Sequence, residues 1–159
     1  MKKMMSLLLA VALLVTGMCQ PVFAEEVSPK VFHVYTAEED FSSDEWSVAQ
    51  KGKYLGNGIS CIARQDGTHI NISGSTTAMQ YCDKVRLTLY VERSTSYASG
   101  YGTYKSYYFS ADNVYQLVKE ISNIQVERGY YYRVYAVHSV TKGSVTETTD
   151  SVTNPISYV

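Results

Sequence analysis

Residues Ile124 to Val140 read I-Q-V-E-R-G-Y-Y-Y-R-V-Y-A-V-H-S-V, and the period of this stretch decides the fold. From Tyr130 onward the chain alternates. Tyr130, Tyr132, Val134, Ala136, His138 and Val140 fall on one side of an extended strand; Tyr131, Arg133, Tyr135, Val137 and Ser139 fall on the other. Aromatic and β-branched residues dominate both sets, as suits side chains packed on a pleated surface. Just before them, Glu127-Arg128-Gly129 supplies a turn in which Gly129 can take a positive φ at no steric cost. The expectation is a tight corner feeding one long central strand.

Outward from this strand the sequence continues in the same style. In Lys84 to Arg93, Val85, Leu87, Leu89 and Val91 point one way while Arg86, Thr88, Tyr90 and Glu92 point the other, so one face is buried and one wet. Ile59 to Arg64 and His69 to Ser73 flank Gln65-Asp66-Gly67-Thr68, which predicts a hairpin turning on Asp-Gly. Gly74 to Gln80 reads as a Ser/Thr-rich loop, Ser94 to Gly102 as a polar loop, and Thr103 to Ser110 as strand. Val114, Leu117, Val118 and Ile121 fit a helical stripe. Their segment nevertheless sits between two strands and leads into the Gly129 corner, so most of Val114 to Val126 is read as strand. A turn at Thr141-Lys142-Gly143-Ser144 and a Thr-rich strand from Val145 to Thr153 follow, and Pro155 stops pairing.

About seven short strands at this spacing predict an all-β fold, an antiparallel β-sandwich with an immunoglobulin- or fibronectin-like Greek key. The spacing of Val126, Gly129, Tyr132, Val134 and Ala136 resembles the corner of such sandwiches, where a Tyr near the start of the penultimate strand hydrogen-bonds to upstream backbone. Gly129 and Tyr132 are the residues placed in that structural corner.

The flanks are of different character. Lys2 and Lys3 precede an apolar run from Leu7 to Val15, and Val22-Phe23-Ala24 suits a signal peptidase, so residues 1–24 are expected to be a signal peptide cleaved between Ala24 and Glu25. That run is too short to span a bilayer, and Met18 in front of Cys19 argues against a lipid anchor. Residues 25–50 hold seven acids against Lys30 alone, whereas residues 51–159 hold eleven bases against eight acids. The expectation is an acidic flexible arm over residues 25–53, solvated or docked through Phe41 and Trp46, ahead of a domain at residues 54–159. No basic stripe supports nucleic acid as a partner. After cleavage two cysteines remain, Cys61 and Cys82, and in an oxidising compartment these are expected to form a disulfide contributing about 3 kcal/mol; the other reading is two buried free thiols.

A search for catalytic chemistry finds little. The histidines are His33 in the acidic arm, His69 at the start of a strand, and His138 on the inward side of the central strand, where a hydrogen-bonded structural imidazole is the first reading and a general base the second. There is no G-x-S-x-G elbow, no H-E-x-x-H and no Walker loop. Asp66, Asp83 and Asp112 occupy turn or loop positions, without the spacing of a calcium loop. No enzyme activity, metal or cofactor is expected.

The run R-G-Y-Y-Y-R-V-Y-A-V-H-S-V-T-K-G-S-V-T-E-T-T from Arg128 to Thr149, with Ile59-Ser60-Cys61 and C-D-K-V-R-L-T-L, resembles a family of small secreted β-sandwich proteins of Gram-positive bacteria with no assigned function. The resemblance implies the sandwich and secretion, and brings no catalytic or binding residue. The remaining positive signal is tyrosine, fifteen in the chain. If Lys84–Arg93 and Tyr130–Val140 share a sheet, Arg86 and Tyr90 flank Tyr131, Arg133 and Tyr135 on its outer face. Aromatic planes edged with guanidinium donors suit sugar rings or peptide chains, although tyrosine is also simply a good strand former. The expected function is a secreted, non-catalytic binding or adhesion module for a cell-surface glycan, cell-wall polymer or protein. The alternatives are a self-assembling extracellular structural protein and, more remotely, a hydrolytic enzyme.

Overall fold

Residues 40–47 and 52–159 are described by the computed structural model. The expected signal peptide, its cleavage site at Ala24 and Glu25, and most of the acidic arm lie outside these residues. Seven strands run through them with no helix: β1 (Phe41–Ser47), β2 (Leu55–Arg64), β3 (His69–Ser94), β4 (Gly102–Gln125), β5 (Tyr131–Lys142), β6 (Val145–Val152) and β7 (Ile156–Ser157). All pairings are antiparallel.

The organising element is the β3–β4 hairpin. β4 lies along one side of β3 over nearly its full length, while the other side of β3 is shared: β2 pairs with its first part, from Ile70 to Ala78, and β5 with its second, from Lys84 to Ser94. β1 extends the sheet beyond β2, β6 beyond β5, and β7 pairs with the start of β5. The two margins then turn toward each other, giving a nearly barrel-shaped sheet. The Val152 N–H donates to Asp44 Oδ2 at 2.9 Å and Ser151 Oγ to Ser60 Oγ at 2.8 Å. The Glu147 carboxylate accepts the N–H groups of Lys53, Tyr54 and Leu55 at 2.8, 2.9 and 2.7 Å, pinning the entry to β2 against β6.

This pairing corrects several expectations. Gly74 to Gln80 is strand, not loop, so β3 crosses without a break between what were expected to be separate strands. A register shift between Thr77 and Cys82 explains the misreading: buried positions are even-numbered at Ile70, Ile72, Thr76 and Ala78 and odd-numbered from Val85 to Val91. Because β3 and β4 are continuous, the strands form one sheet in place of the two-sheet immunoglobulin-like sandwich. Val114 to Gln125 is strand, as most of that segment was read. Of the helix-like set, Leu117 is buried while Val118 is exposed, and the three-residue step from Val114 to Leu117 falls where the β3–β4 register shifts between Thr77 and Cys82. The arm expected over residues 25–53 gives way at Phe41, which begins β1 on the margin of β2, so the sheet starts ahead of the expected boundary at residue 54.

Cys61 and Cys82 are both free. Cys61 lies opposite Ser73, nine positions (82 minus 73) before Cys82 along β3. It falls between the buried Ser60 and Ile62 and so faces outward, while Cys82 is buried in the core. Two cysteines on opposite faces and so far apart along the sheet do not meet disulfide geometry.

Candidate functional site

The site is built on the outer face of the β3–β5 pair. Inward-facing Leu87, Leu89, Val91, Val134 and Ala136 are fully buried, and the period of two therefore puts the intervening side chains outside. Tyr90 lies directly opposite Tyr135, and their rings stack with centroids 5.8 Å apart at an interplanar angle of 27°. Tyr108 of β4 meets Tyr90 edge-on at 6.1 Å. The result is a row of three rings crossing three strands, ending in Tyr108 at 69% exposed. A hydrogen bond with Tyr108, and then partial burial, raise the pKa of the Tyr90 phenol, keeping it a neutral donor.

One end of the row carries charge. Arg133 lies opposite Glu92 and donates through Nε to Glu92 Oε2 at 2.7 Å, while its guanidinium covers the Tyr101 ring at 4.0 Å from the centroid. Tyr131, opposite Ser94, packs edge-on against Tyr97 at 5.6 Å. Five residues were expected on this face. Tyr90 and Tyr135 come into direct contact, and Arg133 and Tyr131 sit along the same strand. Arg86 stands apart, opposite Ser139, where its Nη1 reaches Thr141 Oγ1 at 3.4 Å. Tyr108, Tyr97, Tyr101 and Glu92 were missed. Glu92 and Tyr108 were legible in principle, the first from the alternation of Lys84–Arg93 and the second once β3 and β4 are aligned as a hairpin. Tyr97 and Tyr101 come from a loop and carried no periodic signal.

The corner is built as a local device. Gly129 has φ 90°, and Tyr132, fully buried, uses one hydroxyl twice: it accepts the Glu127 N–H at 2.9 Å and donates to the Glu127 carbonyl at 3.1 Å. His138 is also fully buried and bridges two hydroxyls, Thr76 Oγ1 at Nδ1 (3.0 Å) and Ser151 Oγ at Nε2 (2.9 Å). Burial drives its pKa down to about 4. Neutral and enclosed, the imidazole joins β5 to β3 and β6. His69, by contrast, contacts Asp66 in the β2–β3 turn at 3.0 Å. Among the described residues no three His, Cys, Asp or Glu side chains group to hold a metal, and no helix is long and apolar enough to cross a membrane.

Fold and face together define a small all-β domain with an aromatic platform on one side of its sheet. The chain belongs to a family of unknown function (DUF6147), whose pattern matches residues 22–156. Neither a curated protein nor a solved structure matches it.

Proposed function

We propose that this protein is a secreted, non-catalytic binding module that recognises a cell-surface glycan, cell-wall polymer or protein through the outer face of β3, β4 and β5. The observation that carries this reading is the Tyr108–Tyr90–Tyr135 row, three rings in mutual contact on an outward-facing sheet surface with the Arg133–Glu92 pair beside it. Such rings offer apolar planes for sugar C–H faces or extended chains, and their hydroxyls supply hydrogen bonds with little entropy to lose on binding. Secretion is supported by the Met1–Ala24 stretch. A glycan, cell-wall and protein array probed with the full chain tests the reading. Binding should fall at least about tenfold on replacing Tyr90 and Tyr135 together by Ala, since each lost stacking contact is worth about 1 kcal/mol; undiminished binding by the double variant would place the ligand elsewhere.

A further inference from the structure

Among the described residues β4 has a neighbouring strand along one edge only, pairing with β3 alone over its 24 residues, so the N–H and C=O groups along its far side meet no neighbouring strand. The margins formed by β1 and β6 are engaged with one another through Asp44 and Val152. The core is thinnest along β4 as well: Tyr104, Tyr107, Phe109, Ala111, Val114 and Ile121 pack against it while only partly buried. From Lys105 to Asp112 this strand runs without a register shift against β3, holds no proline, and carries its only charges at the two ends. An aromatic, nearly uncharged edge in continuous register is a template for a further strand.

We propose that the occupant is β4 of a second copy, paired antiparallel about a two-fold axis through Tyr108. Two-fold pairing of a strand with itself sets one residue opposite its own copy. With Tyr108 at the axis, Tyr107 falls opposite Phe109 of the second copy, Ser106 opposite Ser110, and Lys105 opposite Ala111. Tyr107 and Phe109 share the inner face, since their β3 partners are the buried Leu89 and Leu87, so each copy covers the half-open core of the other. A register centred on Asp112 instead sets Lys105 against Lys119 twice and Asp112 against itself, three like-charged pairs in direct opposition. The axis at Tyr108 also joins the two outer faces. The row Tyr135, Tyr90, Tyr108 of one copy continues into the same three rings of the other, six strands spanning roughly 24 Å. The dimer stands on the edge geometry; only the use of this joined row as one longer or bivalent ligand platform rests on the binding reading above.

The test is the mass of the full chain by sedimentation across concentration, with no ligand present. A monomer–dimer equilibrium is expected. Tyr108→Lys, at a position 69% exposed and outside the core, gives up the ring contact with Tyr90, sets two ammonium groups face to face and should weaken the dimer by roughly tenfold or more. Tyr108→Cys should cross-link on mild oxidation, because directly opposed residues in an antiparallel pair stand about 4.5–5.5 Å apart at Cα, within disulfide reach; peptide mapping should find position 108 joined to position 108. A chain that stays monomeric at every concentration overturns the proposal. So does a dimer that Tyr108→Lys does not weaken and that fails to cross-link through Tyr108→Cys. Ligand binding is read separately on the array, so a monomer that binds through Tyr90 and Tyr135 refutes the dimer and leaves the binding module standing.

Discussion

His138 shows how one side chain couples the core to pH. Its pKa in the fold is pulled from 6.5 to about 4, chiefly by burial, against Asp150, the Ser75 backbone and Asp44, which act to raise it. The unfolded chain therefore takes up a proton near pH 6.5 that the folded chain refuses until near pH 4, and stability falls as pH drops through that window. Between pH 7 and pH 5 the loss should be about 2 kcal/mol, read as a falling urea midpoint. His138→Asn should be less stable at pH 7 yet nearly flat across the same range; an unchanged slope would assign the effect to another group. Tyr132 acts through its hydroxyl as well as its buried ring. Tyr132→Phe keeps the buried ring but strands both the N–H and the carbonyl of Glu127, and should cost about 2 kcal/mol in denaturant unfolding. His138 stood out in the sequence as a polar group on the inward side of an apolar alternation, and Tyr132 by its spacing from Gly129 in a sandwich-like corner. Their partners did not, because Thr76, Ser151 and the Glu127 backbone are ordinary until the fold brings them close.

At the scale of the strands, one register shift explains where a period of two along the chain is lost. In β3 the inward positions are even-numbered as far as Cys82 and odd-numbered from Val85, and the register against β4 shifts between Thr77 and Cys82, so a stretch that loses its period reads as loop although it is strand. In β4 the step of three from Val114 to Leu117, the spacing of a helix, spans the same shift, and the segment is strand as expected. The strands also press closely on glycine where they cross. At Gly58 of β2 a Cβ would stand 2.4 Å from His138 Cδ2, and at Gly74 of β3 it would stand 2.8 Å from Leu89 Cδ2. Gly58→Ala must therefore displace the imidazole that ties β5 to β3 and β6, and should destabilise by about 2 kcal/mol or more. A thermal melt within a degree of the parent would mean that the β2–β5 contact is looser than this geometry.

Among the described residues no disulfide joins the strands. The margins of the sheet close through side chains, Glu147 on the N–H groups of Lys53, Tyr54 and Leu55 and Asp44 on Val152, and the thiols stay apart on opposite faces. Burial pushes the pKa of Cys82 up, and that of Cys61 up more than its Ser73 hydrogen bond lowers it, which keeps both thiols protonated and slow to oxidise. Reductant should leave the melting temperature unchanged, whereas a disulfide worth about 3 kcal/mol would show as a fall of several degrees. The sequence by itself determined that the described residues are all-β, that Tyr131–Lys142 is a strand with neighbours on both sides, which of its residues face inward, and that Tyr90, Tyr131, Arg133 and Tyr135 share an outer face. Those are properties of a period of two, carried by neighbouring residues. Only the tertiary structure decided that β3 and β4 run unbroken, that one sheet curls on itself in place of two stacked sheets, that Tyr108 completes the row, and that Cys61 and Cys82 never meet. Each of these depends on register between segments far apart in the chain, which is set by bulges and by cross-strand packing that no local pattern records.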